Sequence, residues 1–195
     1  MQALVIIANP NPESFSHAIA ERAVRGLELG GHQVIVRDLC AEGFRAAMSA
    51  DEHRAYETDQ PVLDPTVQSH IDDLRRAELL VVVYPTWWSS LPAVLKGWLE
   101  RTMVPGVGFV LDDARRVRPG LTNIRRLVGI STYGSPWAYV KGINDNGRRT
   151  ITRALRMSTG WRTRTSWLAL YAMDTTTAAR RDQFLARVER AAATW

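Results

Sequence analysis

Residues 81–101 read Val81-Val82-Val83-Tyr84-Pro85-Thr86-Trp87-Trp88-Ser89-Ser90-Leu91-Pro92-Ala93-Val94-Leu95-Lys96-Gly97-Trp98-Leu99-Glu100-Arg101. An apolar run ends at Pro85, and a helical segment then begins with Pro92 in its first turn. This pattern is typical of a buried parallel strand that runs into a helix. In an open α/β sheet the turn between them lies at the carboxyl end of the strand, where ligands bind. Two tryptophans and two serines in that turn favour a flat, hydrogen-bonding ligand.

Strand and helix patterns alternate five times along the chain. Strands are predicted at residues 2–8, 33–38, 79–84, 127–131 and 163–171, and helices at residues 16–29, 65–77, 92–102, 148–158 and 177–193. Residues 40–64 are expected to be irregular, with one helical turn at 50–56, and residues 104–121 and 132–147 are expected to be loops. This alternation predicts an α/β fold whose parallel sheet is covered by helices on both faces.

The turn after the first strand selects the strand order. It reads Asn9-Pro10-Asn11-Pro12-Glu13-Ser14-Phe15-Ser16 and contains no glycine. A dinucleotide-binding sheet requires G-x-G-x-x-G at this place. We therefore expect a flavodoxin-like, five-stranded parallel sheet in the order 2-1-3-4-5, with residues 1–195 forming one domain.

The charges are unevenly distributed along the chain. Residues 1–75 hold 6 Arg and 12 Asp or Glu, whereas residues 76–195 hold 19 Lys or Arg and 8 Asp or Glu. A basic half is compatible with nucleic-acid binding. Because these cations are spread over several elements and no nucleic-acid module accompanies them, we expect no nucleic-acid partner. An Arg-rich surface near a site for a phosphorylated cofactor is expected instead.

Several other classes are disfavoured by simple sequence features. The first apolar run, residues 3–8, is too short to cross a membrane, and no basic segment precedes it as in a secretory signal. Cys40 is the single cysteine, which excludes an internal disulfide and fits a cytoplasmic protein. The four histidines show no metal-ligand spacing and are expected on the surface or at helix ends, so no metal site is predicted.

Three segments that follow predicted strands carry the candidate binding residues. Ser14 and Ser16 flank Phe15 just before a helix, where hydroxyls and free N–H groups bind anions, although one serine can simply cap the helix. Trp87 and Trp88 leave the third strand in different directions, so one of them is expected to face the ligand crevice. Thr132-Tyr133-Gly134-Ser135 follows the fourth strand, and its glycine permits a close backbone approach or a positive φ. Beyond it, Tyr139 offers a phenol and Lys141 a charge.

These segments together resemble the flavodoxin-like NAD(P)H:quinone oxidoreductase family, of the DT-diaphorase type and its bacterial relatives. The run P-A-x-L-K-G-W at residues 92–98 is the most specific element of the resemblance. It implies a bound flavin, FAD in most close relatives and FMN in some, with NAD(P)H as cosubstrate. The cofactor-binding residues that it implies are Asn9 (where well-studied members have a histidine), Ser14, Phe15, Ser16, Pro85, Thr86, Trp87, Trp88, Ser89, Thr132, Tyr133 and Gly134.

The resemblance also implies a mechanism and an assembly. A hydride passes from NAD(P)H through the flavin to a quinone or similar flat acceptor, in ping-pong order at one site. Tyr139 would stabilise the charge of the reduced flavin with help from Lys141, and Trp88 and Trp137 would form an aromatic floor. A homodimer is implied, with residues 104–121 at its interface and Trp98 packed either there or in the core. The alternative is a flavin module without turnover, either a regulatory subunit of a transporter or an electron carrier, and the basic half counts against a carrier.

Overall fold

The computed structural model describes residues 1–195. In chain order its elements are β1 (Gln2–Ile7), α1 (Phe15–Leu29), β2 (Gln33–Asp38), α2 (Ala50–Ala55), α3 (Pro65–Arg76), β3 (Leu79–Pro85), α4 (Ala93–Thr102), β4 (Phe109–Leu111), β5 (Val117–Pro119), β6 (Arg126–Thr132), α5 (Trp137–Gly142), α6 (Asn146–Arg149), a π-helical segment (Thr150–Leu155), α7 (Arg156–Thr159), β7 (Arg164–Leu170), a 3₁₀ turn (Met173–Thr175) and α8 (Ala178–Ala192).

The predicted sheet is confirmed. Its five strands are parallel and lie in the order β2-β1-β3-β6-β7, which is 2-1-3-4-5 when only the strands of this sheet are counted. β3 occupies the centre, where Val81 pairs with Val5 on one side and Val128 on the other. Six of its seven residues are buried, which explains why the strand reads as a continuous apolar run.

Helices cover both faces of the sheet, because successive residues of each strand point to opposite sides. On one face, Leu80 and Val82 pack with residues of α3 and α4, including Leu74 and Trp98. On the other face, Val81 and its alternating neighbours pack with α1 and α8. Fully burying one such aliphatic side chain contributes about 1.5–3 kcal/mol. No helix in the protein has both the length and the apolar character required for a membrane span.

Three predicted elements need correction. Residues 104–121 are not a plain loop, because β4 and β5 form an antiparallel hairpin whose turn is closed by Asp112, which accepts the backbone N–H groups of Ala114 and Arg116. Residues 132–147 contain α5 and the start of α6. The helix predicted at 148–158 begins at Asn146 and passes through the π-helical segment. These pieces are only three to six residues long, so they carry too few repeats for a recognisable periodicity.

Two buried polar groups on α4 tie it to its surroundings. The indole Nε1 of Trp98 donates to Nδ1 of His70 at 3.1 Å, and His70 Nε2 lies 2.9 Å from a carboxylate oxygen of Glu42. Arg101 forms ion pairs with Glu52 and with Asp64, the latter at 2.8 Å. The expected position of His70 was wrong, because it is 0% exposed and is not a surface histidine. Trp98 is also 0% exposed and lies in the core, one of the two positions expected for it.

Candidate functional site

The turn after β3 is backbone-strained. Trp87 and Ser90 exchange backbone hydrogen bonds at 3.2 and 3.0 Å, and the two residues between them, Trp88 and Ser89, have φ angles of +46° and +59°. Positive φ at both central positions defines a type I′ turn, which normally uses Asn or Gly. The left-handed conformation costs roughly 1–2 kcal/mol for each residue with a Cβ. Strain of this kind clusters at ligand sites.

The same turn holds its aromatic side chains in the open. Trp88 is fully exposed and Trp87 is about half exposed. Thr86 fixes the base of the turn, because its N–H donates to the carbonyl of Thr132 at 2.8 Å and its hydroxyl lies 2.8 Å from that of Ser131. The carboxyl ends of β3 and β6 are therefore held together beneath an exposed indole.

Tyr133 and Asp145 form the inner wall of the site. The buried hydroxyl of Tyr133 donates to the Asp145 carboxylate, at 2.9 and 3.1 Å to its two oxygens, and the ring stacks on Tyr171 with centroids 4.8 Å apart. Burial, together with the negative charge of Asp145, raises the pKa of Tyr133 well above its usual value. The phenol therefore keeps its proton throughout the physiological range and acts as a fixed donor.

Asp145 was missed by the sequence analysis. It has a φ of +42°, follows Asn144 at +75°, and caps α6 by accepting the N–H of Arg148 at 3.3 Å. The signal in the sequence was an aspartate just before a helix start, which is typical of an N-cap. Its second partner, Tyr133, is twelve residues away, and only the folded chain brings the two together.

A cavity of about 310 Å³ lies between these elements. Six of the predicted site residues line it, which are Thr86, Trp88, Ser89, Tyr133, Gly134 and Tyr139. Ser135, Val140, Ile143 and Asp145 complete the wall. A larger cavity, of about 870 Å³, lies elsewhere between α2, α4 and the π-helical segment, and none of the predicted site residues lines it.

Four residues that line the 310 Å³ cavity have backbone N–H groups without a hydrogen-bond partner in the protein. The N–H groups of Trp88, Ser89, Gly134 and Ser135 donate to no protein acceptor. Gly134 serves a close approach rather than a positive φ, because a Cβ at this position would lie 3.0 Å from an Asp174 carboxylate oxygen. A flat heterocycle with several acceptor atoms along one edge fits this set of donors.

The β1 end presents a different chemistry. Ser14 caps α1, since its hydroxyl accepts the N–H of His17 at 3.4 Å and lies 2.9 Å from the ring Nδ1, while His17 Nε2 is 2.8 Å from Asp38. Ser16 accepts a hydrogen bond from the amide of Asn9 at 3.2 Å. The N–H groups of Phe15 and Ser16 have no acceptor in the protein. The start of α1 therefore offers free donors with the positive end of a helix dipole, which suits an anion.

Other predicted residues lie outside the cavity. The ring of Phe15 packs into the core, 6.4 Å from that of Phe184. Asn9, Ser14, Ser16, Pro85, Trp87 and Thr132 are not among the residues that line the cavity. Lys141 and Trp137 line a neighbouring cavity, in which the Lys141 ammonium lies 4.8 Å from the centroid of the Trp137 ring. Thus Trp88 and Trp137 do not form one floor, and Lys141 does not share the cavity of Tyr139.

All of residues 1–195 match the sequence profile of a family described as having a flavodoxin-like fold. The chain belongs to this flavodoxin-like family. Among its relatives, an NAD(P)H oxidoreductase of Haemophilus influenzae, itself described as uncharacterized, is 32% identical over 136 residues, which are 69% of this chain and 65% of that protein. Rat NAD(P)H dehydrogenase [quinone] 1 is 29% identical over 153 residues, covering 71% of this chain and 56% of the relative.

The flavodoxin-like chain also resembles solved structures over its whole length. The NAD(P)H:quinone oxidoreductase from Methanothermobacter marburgensis superposes with a TM-score of 0.83 at 25% identity, covering 100% of this chain and 96% of that one. The expected family resemblance is thereby confirmed. The flavodoxin-like chain spans roughly half to two thirds of the length of the two relatives matched by sequence.

Proposed function

We propose that the protein is a flavin-dependent oxidoreductase that transfers a hydride from NAD(P)H to a quinone or a similar flat acceptor. The observation that carries this proposal is the 310 Å³ cavity at the carboxyl ends of β3 and β6, with four free backbone donors beside an exposed indole. The names of the relatives, which contain NAD(P)H and quinone, support the same chemistry.

The residues present suit a flavin. The N–H groups of Trp88, Ser89, Gly134 and Ser135 match the acceptor atoms along the polar edge of the ring system, and Trp88 offers a stacking surface. The free N–H groups of Phe15 and Ser16 at the start of α1 would hold a phosphate. A bound flavin supplies the hydride chemistry, accepting a hydride from a nicotinamide and donating it to an acceptor. FAD is proposed by resemblance, with FMN as the alternative.

The protein's own contribution is positioning and electrostatics. Tyr139 lines the cavity with a hydroxyl that has no protein partner, so it is free to donate toward negative charge that develops in the ring. The Tyr133 hydroxyl is committed to Asp145 and holds the wall in place. By the family resemblance, the two substrates would occupy the cavity in turn. We therefore propose ping-pong kinetics, in which double-reciprocal plots are parallel.

A homodimer is part of the proposal. The hairpin β4–β5 exposes three apolar side chains, Val110, Leu111 and Val117, which are 39, 52 and 68% exposed. Exposed apolar residues on an ordered hairpin are typical of an association surface. We further propose one domain over residues 1–195 and, because the free cysteine Cys40 suits a reducing compartment, a cytoplasmic location.

A matched pair of variants tests the flavin site. Trp88→Ala removes the indole that lines the cavity, and Trp87→Ala removes its neighbour, which does not line it. Titration with FAD and with FMN should show flavin affinity lowered about 2- to 10-fold by Trp88→Ala, as expected for the loss of one aromatic contact, and little changed by Trp87→Ala. Equal effects of the two changes would place the flavin elsewhere.

Steady-state turnover separates the enzyme from the alternative flavin module. The flavin-loaded protein should oxidise NAD(P)H in the presence of a quinone. A regulatory subunit or an electron carrier would retain the flavin but show no sustained NAD(P)H oxidation.

A further inference from the structure

A second cavity, of about 370 Å³, lies beside the 310 Å³ cavity that is proposed to hold the flavin, called the flavin cavity below. Val140 and Asp145 line both of them, so the two spaces share a wall. The second cavity has an aromatic part and a cationic part. Its lining includes Trp137, Lys141, Arg148, Arg149, Arg153 and Tyr171.

The four cations of this cavity are not neutralised within the protein. None of them has a carboxylate oxygen within 4.0 Å of its charged nitrogens, and none donates a side-chain hydrogen bond; the Lys141 ammonium lies over the face of Trp137. Asp145 is the single acidic residue in the lining, and it already accepts hydrogen bonds from Tyr133 and from the N–H of Arg148. Four cations less one carboxylate leave a net charge of +3 around the cavity.

Holding these cations close together costs free energy, because they repel one another. Arg149 and Arg153 are four residues apart in a helical segment, a spacing at which like charges repel. The π-helical segment begins directly after Arg149, and such segments are frequent at functional sites. Unpaired arginines gathered around a concave space are suited to phosphate, because the guanidinium fork makes two parallel hydrogen bonds to it.

We propose that this cavity binds the phosphate groups of the nicotinamide dinucleotide and makes the protein prefer NADPH to NADH. The inference rests on the proposed function, which places the nicotinamide in the adjoining flavin cavity. A ligand that occupies both cavities has a flat ring at one end and phosphates at the other. The pyrophosphate common to both nucleotides brings a charge of about −2, whereas the 2′-phosphate of NADPH adds about −1.5 to −2 and so matches the excess of cations.

The test compares two double variants that remove the same charge. Arg148→Gln/Arg153→Gln removes two of the four positive charges that line the cationic cavity. Arg125→Gln/Arg162→Gln is the control, since these exposed arginines also lack ion pairs but line a different cavity at the amino ends of β6 and β7. Calorimetric titration of the flavin-loaded proteins would use adenosine 2′,5′-bisphosphate and adenosine 5′-monophosphate as probes, and kinetics would use NADPH and NADH.

The wild-type protein should bind the bisphosphate at least about tenfold more tightly than the monophosphate, as expected for one charge-assisted contact. Arg148→Gln/Arg153→Gln should abolish this difference and lower the NADPH-to-NADH ratio of kcat/KM about tenfold. The control Arg125→Gln/Arg162→Gln should keep both the preference for the bisphosphate and the NADPH-to-NADH ratio of the wild type. Equal binding of the two probes by the wild type, or an equal loss in the control, would overturn the inference.

Two further outcomes separate the sources of failure. A further measurement compares turnover with 1,4-naphthoquinone and with its 2-sulfonate as the acceptor. If Arg148→Gln/Arg153→Gln lowers turnover only with the sulfonate, the cavity serves an anionic acceptor and the assignment to NADPH is wrong. If the flavin-loaded protein oxidises neither nucleotide, the proposed function fails. In that case the calorimetric difference between the two adenosine phosphates still decides whether the cavity is a phosphate site.

Discussion

The proposed role of Tyr139 can be tested with a single substitution. Tyr139 lines the 310 Å³ cavity, and its hydroxyl forms no hydrogen bond within the protein, so in the proposed flavin site it is free to donate toward charge that exists only once the flavin is reduced. Tyr139→Phe should slow flavin reduction by NAD(P)H on the order of tenfold while leaving flavin affinity nearly unchanged, because the lost interaction belongs to the reaction and not to the ground state. Stopped-flow reduction and a flavin titration on the same variant measure the two effects. Reduction at the wild-type rate would remove Tyr139 from this role and leave a backbone donor near Gly134 as the next candidate.

His70 makes stability depend on pH. Burial, reinforced by the positive charge of Arg37, lowers the pKa of His70, with Glu42 and Asp73 acting in the opposite direction. The geometry agrees, because Nδ1 must be unprotonated to accept the indole N–H of Trp98. An unfolded histidine binds a proton below about pH 6.5, whereas the folded protein resists it, so the free energy of unfolding should fall as the pH drops from 7 toward 5.

His70→Gln tests this dependence. The variant should be less stable at pH 7 by about 1–3 kcal/mol, since it disrupts two buried hydrogen bonds, and should lose less stability between pH 7 and pH 5 than the wild type. Urea unfolding at the two pH values gives both quantities. The exposed His53, changed to Gln, is the control and should leave the pH dependence as it is. An unchanged pH dependence in His70→Gln would show that another group titrates in this window.

At the scale of elements, one buried arginine holds the irregular segment before α3 against α4. Arg101 on α4 is 3% exposed and binds Glu52 on α2, Asp64 at the cap of α3 and the carbonyl of Arg45. Arg101→Met should lower the free energy of unfolding by about 3–5 kcal/mol, because it leaves the carboxylates of Glu52 and Asp64 with only the longer contacts of the exposed Arg45, at 3.7 and 3.9 Å. Arg54→Met breaks only an exposed pair with Asp51 and should cost about 0–1 kcal/mol. Denaturant unfolding of the two variants measures both changes. Similar losses of unfolding free energy in the two variants would mean that Arg101 does not anchor the segment.

The long elements could be predicted from the sequence, and the short ones could not. β3 was recognisable because a central parallel strand is apolar along its whole length, and the strand order followed from the absence of glycine after β1. The sequence did not show that Tyr139 and Lys141 line different cavities, because α5 was not foreseen. Two residues apart on a helix, the side chains point roughly 200° away from each other, which puts them in different cavities. The positive φ angles of Trp88 and Ser89 could not be predicted from the sequence either, since neither residue type favours them.

For the whole molecule, we predict a homodimer. Leu111→Asp/Val117→Asp places two charges on the apolar hairpin, whereas Leu29→Asp changes an equally exposed leucine side chain on α1. Light scattering at micromolar concentration should give twice the mass of one chain for the wild type and for Leu29→Asp, and the mass of one chain for the hairpin variant. A wild-type monomer, or a dimer that survives the hairpin variant, would show that β4–β5 is not the association surface.

We expect the cavity between β3 and β6 to hold a flavin that takes a hydride from NAD(P)H and passes it to a flat acceptor. Anaerobic mixing of the flavin-loaded protein with NAD(P)H, followed by a quinone, tests it in one experiment by the flavin absorbance. We predict that NAD(P)H bleaches the flavin absorbance and that the quinone restores it, with one equivalent of each consumed per flavin. A protein that retains no flavin after saturation with FAD and FMN, or whose bound flavin NAD(P)H does not bleach, would contradict it.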